Sequence, residues 1–167
     1  MKFIDKFRRL GMLALLLAAM LAVPGWAESA RFTADSNGTV LDTRTGLMWQ
    51  KADSYHDVKK GMNWYEALEY VDIKNAQKFG GFSDWRLPTM DELNGIWDPQ
   101  RTLASKDGDA IGLPQVFASG GSYYLWTGTE FNLNNAWYFG LGQHEDYWNL
   151  KDLGDLDQGV KLVRKAR

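Results

Sequence analysis

Two adjacent aromatic residues near the end of the chain carry the clearest ligand-binding chemistry. Tyr147 and Trp148 lie beside Asn149 and follow two acidic residues. Aromatic faces stack on sugar rings, and side chains alternate along a strand, so one ring of this pair is expected to point outward. We predict a ligand-binding surface at Tyr147, Trp148 and Asn149. The alternative is that these rings pack in the core.

A second candidate is a calcium site in a glycine-rich segment. Asp107 and Asp109 flank Gly108, and alternating carboxylates bind calcium through oxygen. The glutamate that closes a helix–loop–helix calcium loop is absent, so a turn rich in Asp and Gly is the alternative reading. Calcium at Asp107 and Asp109 is the one cofactor that the sequence suggests.

The chain offers no recognisable catalytic motif. It has no Cys and two His, His56 and His144. Neither histidine has a partner at the spacing of a zinc site, and no nucleophile-elbow string occurs. The lack of Cys also excludes disulfides and thiolate metal sites. We predict a protein that is not an enzyme, with both histidines at the surface or in loops.

The first 27 residues are typical of a secretory signal peptide. A basic start is followed by an apolar run too short to cross a bilayer and by a small-residue exit. We predict cleavage, a periplasmic or secreted location, and one exported domain over residues 28–167. Cleavage would leave 15 basic and 20 acidic residues, a net charge of −5.

That acidic balance argues against nucleic acid as a partner. The basic residues that do cluster are at the end of the chain: Lys161, Arg164, Lys165 and Arg167. We interpret them as a solvated chain end. After cleavage, no segment is long enough to span a membrane.

Local signals place helices first and strands later. A hairpin is predicted over residues 39–42 and 47–50, turning at Gly46. Capping-box spacings at Asn63 and Thr89 begin two helices, the first over residues 63–78 with Trp64, Leu68, Val71 and Asn75 on one face. Residues 100–122 form a long connection. Further strands are predicted at residues 123–129, 135–141, 147–150 and 160–164. Because helices and strands are segregated, we predict an α+β fold with an antiparallel sheet.

The motifs resemble a known bacterial domain family, the C-terminal domain of the Legionella collagen-like adhesin. The most specific match is the Gly-Gly-Phe-Ser-Asp-Trp-Arg-Leu-Pro-Thr string at residues 80–89. Other matching segments are Arg31-Phe32, residues 37–49, Trp64, Ala67, Glu92-Leu93, residues 124–127, residues 136–142 and residues 160–164. The resemblance covers nearly the whole predicted domain, in the right order.

The resemblance implies a C-type-lectin-like fold related to formylglycine-generating enzymes, with two helices packed on a small irregular antiparallel sheet. It also implies a location outside the cytoplasm and, for the adhesin, binding of sulfated polysaccharide. The family's structural motif falls here on Trp49, Trp64, Asp84, Trp85, Arg86, Pro88, Trp126 and Trp137. Arg86 is either ligand-facing or held by a carboxylate or by backbone carbonyls, and we favour the second reading.

Two positions depart from the family pattern. Many members carry Cys where this chain has Val71 and Leu162. Losing a disulfide costs about 2–5 kcal/mol, whereas burying two aliphatic side chains returns about 1.5–3 kcal/mol each. We predict that Val71 packs on Leu162.

Together these features predict a non-catalytic exported module for binding or adhesion. Its partner is a glycan or a protein of the envelope or the extracellular space. The alternatives are a structural envelope component that binds only proteins and, less favoured, a hydrolase of unrecognised type. Formylglycine-generating chemistry needs cysteines, which the chain lacks. The oligomeric state stays open.

Overall fold

A computed structural model of the chain describes residues 31–154 and 157–166. The predicted signal peptide, residues 1–27, lies outside the described residues. Within the described part of the chain, no helix is both long and apolar enough to cross a membrane.

The fold is mostly β, so the predicted α+β, C-type-lectin-like architecture with two helices on one small antiparallel sheet is wrong. The described residues form ten strands in three sheets, and only about 21% of these residues are helical. The strands are β1 (Phe32–Ala34), β2 (Thr39–Asp42), β3 (Leu47–Gln50), β4 (Leu103–Ala104), β5 (Ala110–Ile111), β6 (Tyr124–Glu130), β7 (Asn135–Gly140), β8 (Glu145–Leu150), β9 (Gln158–Gly159) and β10 (Val163–Lys165). The helices are α1 (Ser54–Val58), α2 (Trp64–Ala76) and α3 (Met90–Ile96), with a 3₁₀ turn at Phe79–Gly81.

The two larger sheets have different pairing. The first is antiparallel throughout, in the order β1-β2-β3-β10. The second has the order β8-β7-β6-β9, in which β9 runs parallel to β6. Strands β4 and β5 form a short hairpin inside the segment predicted to be a long connection.

The strands of the second sheet separate two hydrophobic cores. Alternate residues of β6 point to opposite sides, so Leu125 packs in the first core and Trp126 in the second. Helix α3 contributes Leu93 and Ile96 to the first core. Helix α2 packs in the second core. The two helices therefore do not share one sheet face, which is the physical reason that the predicted layer arrangement fails.

Both predicted helix starts are confirmed. The Asn63 side chain accepts from the Glu66 amide while the Glu66 carboxylate accepts from the Asn63 amide, and Thr89 and Glu92 repeat this pattern. The predicted buried face of α2 is partly wrong. Trp64 is buried as expected, as is Ala67, which was predicted to lie beside this face, but Leu68 is 38% exposed, and Tyr70 is buried instead.

Candidate binding surface

The predicted ligand-binding residues lie on β8, an edge strand of the second sheet. Trp148 is opposite Trp137 on β7, and Tyr147 is opposite Tyr138. Because side chains alternate, Trp148 lies on one face of the sheet, while Tyr147 and Asn149 lie on the other. The structure thus divides the predicted set between two surfaces.

The face that carries Trp148 presents a group of exposed rings. Trp148 is 53% exposed and stacks on Phe131, with ring centroids 5.1 Å apart and planes 12° apart. Phe131 is 44% exposed and meets Trp137 edge-on at 5.1 Å. We call these three residues the Trp148 surface. Two of its rings, Phe131 and Trp148, are parallel and about half exposed, and the outer face of this stacked pair can take a flat apolar ligand face.

A tightly bonded turn between β6 and β7 positions Phe131. The Asn132 side chain accepts from the backbone amides of Asn134 and Asn135, each at 2.9 Å. The Lys151 ammonium donates to the Leu133 carbonyl at 2.8 Å and to the Glu130 carboxylate at 2.6 Å. The platform is therefore held by fixed backbone. The sequence analysis missed Phe131, and the signal for it was an aromatic residue directly before an Asn-rich turn.

Tyr147 belongs to a packed tyrosine cluster on the other face. It stacks on Tyr138 with centroids 5.4 Å apart, and Tyr124 meets both rings edge-on. The Tyr147 hydroxyl donates to the Glu145 carboxylate at 2.6 Å, and this bond raises the pKa of Tyr147 to about 12. The Tyr147 hydroxyl is therefore neutral and already donates to Glu145, and its ring already packs against two tyrosines. Tyr147 thus offers less free ring surface to a ligand than Trp148 does.

The candidate calcium residues lie in the turn of the β4–β5 hairpin. The Ser105 hydroxyl accepts from the amides of Asp107 and Asp109, and Gly108 has a φ of 93°. The Asp107 carboxylate forms an ion pair with Lys106, which also pairs with Asp157. Among the described residues, no group of three or more acidic or histidine side chains could hold a metal ion. The geometry is that of an Asp- and Gly-rich turn.

The Asp-Trp-Arg-Leu-Pro segment is fixed to α3 by an ion pair. The Arg86 guanidinium donates to both oxygens of Glu92, at 2.7 and 2.6 Å. Burial raises the pKa of Glu92, but the bonds from Arg86 and Thr89 outweigh it and keep the pKa below its usual value. Trp85 is buried. The Asn75 side chain donates to the Trp85 carbonyl and accepts from the Trp85 amide. Pro88 is buried beside it. Arg86 is thus held by a carboxylate, and it fixes the start of α3.

Most tryptophans of the family motif are buried in the two cores and are not available to bind a ligand. Trp49, Trp64 and Trp126 are buried, whereas Trp137 is half-buried beneath the Trp148 surface. Leu162 is fully buried in the second core, and Val71 packs against that same core. The two positions where the resemblance implies a Cys pair therefore belong to one cluster.

The basic end of the chain is not solvated, so that interpretation is wrong for Lys161 and Arg164. Both side chains are almost fully buried. Arg164 donates to the Asp84 carboxylate at 2.6 and 3.2 Å and lies 3.8 Å over the Phe82 ring. Lys161 donates to the carbonyls of Gln50 and Lys51. These charged side chains can be buried because their partners, which are distant in sequence, lie beside them in the fold.

A buried ionic centre connects Asp53, His56 and Lys161, and sequence reasoning missed it. The Asp53 carboxylate accepts from His56 Nδ1 at 2.8 Å and from the Ser122 amide at 2.5 Å. Burial raises the pKa of Asp53, but the His56 bond and the Lys161 charge outweigh it and lower the pKa. Burial lowers the pKa of Lys161 to about 8. The three-residue spacing of Asp53 and His56 was the available signal.

The hydrogen bonds of His56 favour the protonated form of its ring. Its Nδ1 faces the Asp53 carboxylate, and its Nε2 lies 3.0 Å from the Ser119 carbonyl. Both partners are acceptors, so both nitrogens must donate, which only the imidazolium does. The Asp53 bond accordingly raises the pKa of His56. The centre ties α1 to the segment that precedes β6.

The His56 bonds predict a specific pH dependence of stability. The folded pKa lies above the unfolded value of 6.5, so the stabilisation is complete below about pH 6.5 and is lost as pH rises through the folded pKa. We expect His56→Gln to lower the free energy of unfolding by about 1–2 kcal/mol near pH 5.5 and by clearly less near pH 9. The lowered pKa of Lys161 makes stability increase with pH, opposite to the His56 contribution. Lys161 is present in both the parent and the His56→Gln variant, so the difference between the two proteins reports on His56. Urea unfolding at both pH values checks this, and an equal difference at both would contradict it.

The geometry defines a mostly β domain with an exposed aromatic edge. Residues 38–164 match the family described as the Lcl C-terminal domain. The chain belongs to this family, as its motifs indicated, and the family relates it to an adhesin-related module. The family is not a known enzymatic one. No curated protein matches the chain.

Proposed function

We propose that this protein is a non-catalytic, exported binding or adhesion module and that the Trp148 surface binds a glycan. The observation that carries this proposal is the stacked, half-exposed pair formed by Trp148 on the edge strand β8 and Phe131 in the turn after β6. Membership of an adhesin-related family supports the module, and the exposed rings support the ligand class. The proposed location is the periplasm or the cell exterior.

The net charge of the chain indicates which class of glycan the Trp148 surface would bind. The chain has a formal net charge of −2, and the proposed removal of residues 1–27 makes it more negative. Two of the basic side chains, Lys161 and Arg164, are buried. A sulfated polysaccharide therefore finds little positive surface, and we propose a neutral glycan as the ligand.

The test is binding of the purified protein to a broad glycan array that includes sulfated polysaccharides, with calcium and with chelator. For each glycan bound, Trp148→Ala and Phe131→Ala are compared with Tyr65→Ala. Tyr65 is a matched control, because it is an aromatic residue that is 54% exposed on α2 and does not belong to the Trp148 surface. We expect calcium-independent binding. Trp148→Ala should weaken it about 30-fold, a loss of about 2 kcal/mol, and Tyr65→Ala should leave it unchanged.

Two results would overturn the proposal. Binding that survives Trp148→Ala and Phe131→Ala would assign the ligand to another surface. Binding that requires calcium and fails in Asp107→Asn would move the site to the β4–β5 turn. The free energy of unfolding of Trp148→Ala should stay within about 1 kcal/mol of the parent, because the ring is half exposed.

A protein partner is the second candidate function, and one observation favours it. Leu133 and Leu150 are 85% and 45% exposed near the Trp148 surface, and they extend its apolar area. A structural envelope component that binds only proteins would use such an area. Silence on the array together with a stable envelope complex lost in Leu133→Asp would favour this candidate over the glycan.

A further inference from the structure

The outer edge of strand β8 presents backbone groups that face away from the rest of the sheet. The six residues of β8 pair with β7 in one continuous antiparallel register. The next pair of that register is bonded, because the Lys151 amide donates to the Asn134 carbonyl at 2.9 Å. Bonded and non-bonded pairs alternate along an antiparallel ladder. The N–H and C=O groups of Asp146, Trp148 and Leu150 therefore point away from β7.

Most of these outward groups are open to a new partner. The Leu150 amide donates to the adjacent Asn149 side chain at 2.8 Å, and its carbonyl accepts from Leu153 at 3.3 Å. The outward backbone groups of Asp146 and Trp148 make no hydrogen bond within the part of the chain that the structure describes. Both residues are exposed. Such a row of free donors and acceptors is a template for another strand.

The other sheet edges among the described residues are short or covered. Strand β1 has three residues and β9 has two. The outer side of β10 is closed by Arg86, which exchanges two backbone bonds of 3.0 Å with Val163. Strand β8 is twice as long as β1 and lacks the Lys, Pro or bulge that usually protects an edge. Its charges are confined to Glu145 and Asp146 at its start.

We propose that β8 pairs antiparallel with β8 of a second copy of this chain, with Trp148 opposite its counterpart. In this register Asp146 of each copy lies opposite Leu150 of the other, so outward backbone groups meet outward backbone groups. The acidic starts of the two strands then lie at opposite ends of the pair. A parallel pair would instead place Glu145 and Asp146 of both copies side by side, and like charges opposite each other destabilise a sheet.

The side chains of β8 suit this self-pairing. Trp148 and Leu150 are 53% and 45% exposed on one face of the sheet, and pairing would cover both. The two Trp148 rings would form a cross-strand aromatic pair, which is a stabilising arrangement. They would use the ring face that Phe131 leaves free, so strand pairing and a glycan on that face would compete. The inference goes beyond the proposed function and does not require that a glycan binds.

The first measurement is the oligomeric state of the purified protein, by sedimentation velocity over a series of concentrations. We expect a reversible dimer. Trp148→Lys and Trp148→Glu should each weaken dimerisation at least about tenfold, because like charges then face each other across the pair. An equal mixture of these two variants should restore the dimer, because opposite charges then meet. This rescue is expected only if residue 148 lies opposite residue 148.

A proline tests the backbone pairing without removing the aromatic rings. Asp146→Pro deletes an amide that points outward, so the bonds between β8 and β7 stay intact. It should weaken dimerisation at least about tenfold, whereas the matched control Asp146→Ala keeps the amide and should keep the dimer. Both variants retain Phe131 and Trp148. Loss of the dimer with retained glycan binding in Asp146→Pro would therefore separate this inference from the proposed function.

A single cysteine provides a second test of the register. The chain has no Cys, so Trp148→Cys introduces one thiol. Bonded antiparallel pairs have Cα atoms about 5.5 Å apart, which suits a disulfide. We expect a disulfide-linked dimer under oxidising conditions and a much slower reaction in the control Tyr65→Cys, whose position is 54% exposed on α2.

Three results would overturn the proposal. A monomer at every concentration, with no disulfide in Trp148→Cys, would leave the β8 edge to a strand of a different protein. A dimer that persists in both Trp148→Lys and Asp146→Pro would assign the contact to another surface. A mixture of Trp148→Lys and Trp148→Glu that stays monomeric would exclude the register centred on Trp148.

Discussion

Asp53→Ala should destabilise the protein by about 3–5 kcal/mol, because it leaves a buried charge without its partner. The Asp53 side chain is only 5% exposed and balances the buried Lys161 and the His56 imidazolium. Removing it leaves a buried ammonium with two carbonyls and the Phe117 ring but no carboxylate, and it frees the Ser122 amide. The measurement is the free energy of unfolding in urea near neutral pH.

Two further proteins separate the charge effect from a loss of packing. In Asp53→Ala with Lys161→Met, both buried charges are gone, so part of the lost stability should return, and the double-mutant cycle should give coupling of at least about 1 kcal/mol. Asp72→Ala is the matched control, because Asp72 is exposed on α2 and should change stability by less than about 0.5 kcal/mol. A coupling near zero would show that the two groups do not form one ionic centre.

The sequence predicted those elements whose signals are local. The β2–β3 hairpin turns at Gly46, which has a φ of 67°. Both longer helices begin at side chains that bond within four residues of one another, at Asn63 and Thr89. Such signals are complete within a short window, so neither the hairpin nor the helix starts needed knowledge of the rest of the chain.

The fold class could not be read from the same local signals. Strands β4, β5 and β9 are two residues long, too short to show an alternating pattern. Strands β4 and β5 pair only with each other across a short turn, and β9 exists because the distant strand β6 pairs with it. The resemblance then supplied a two-helix architecture that the sheet between the two cores contradicts.

The candidate site was partly predictable for a related reason. Trp148 was predicted from its type and its strand position, and its exposure agrees with a binding role. Its stacking partner Phe131 lies across the sheet, reached through the β6–β7 turn, and no spacing rule connects the two. The buried ends of Lys161 and Arg164 were missed because Asp53 and Asp84 are distant in sequence but adjacent in space.

The second large effect is expected from restoring the cysteine pair that the resemblance implies. Val71→Cys with Leu162→Cys joins α2 to the segment before β10, where both side chains contribute to the second core. A bridge over so long a loop should raise the free energy of unfolding of the oxidised protein by about 2–4 kcal/mol over its reduced form. Thiol counting and urea unfolding, with and without reductant, measure this.

The reduced form of this double variant tests the packing that replaces the bridge. Leu162 is fully buried, so shortening it to Cys leaves a cavity and should cost about 1–3 kcal/mol relative to the parent. Val71→Cys alone should cost less, because Val71 is half-buried. A disulfide forms only when the two Cα atoms lie about 4.4–6.8 Å apart. If both thiols stay free under oxidising conditions, Val71 does not pack on Leu162, and the apolar pair is not the substitute for the bridge.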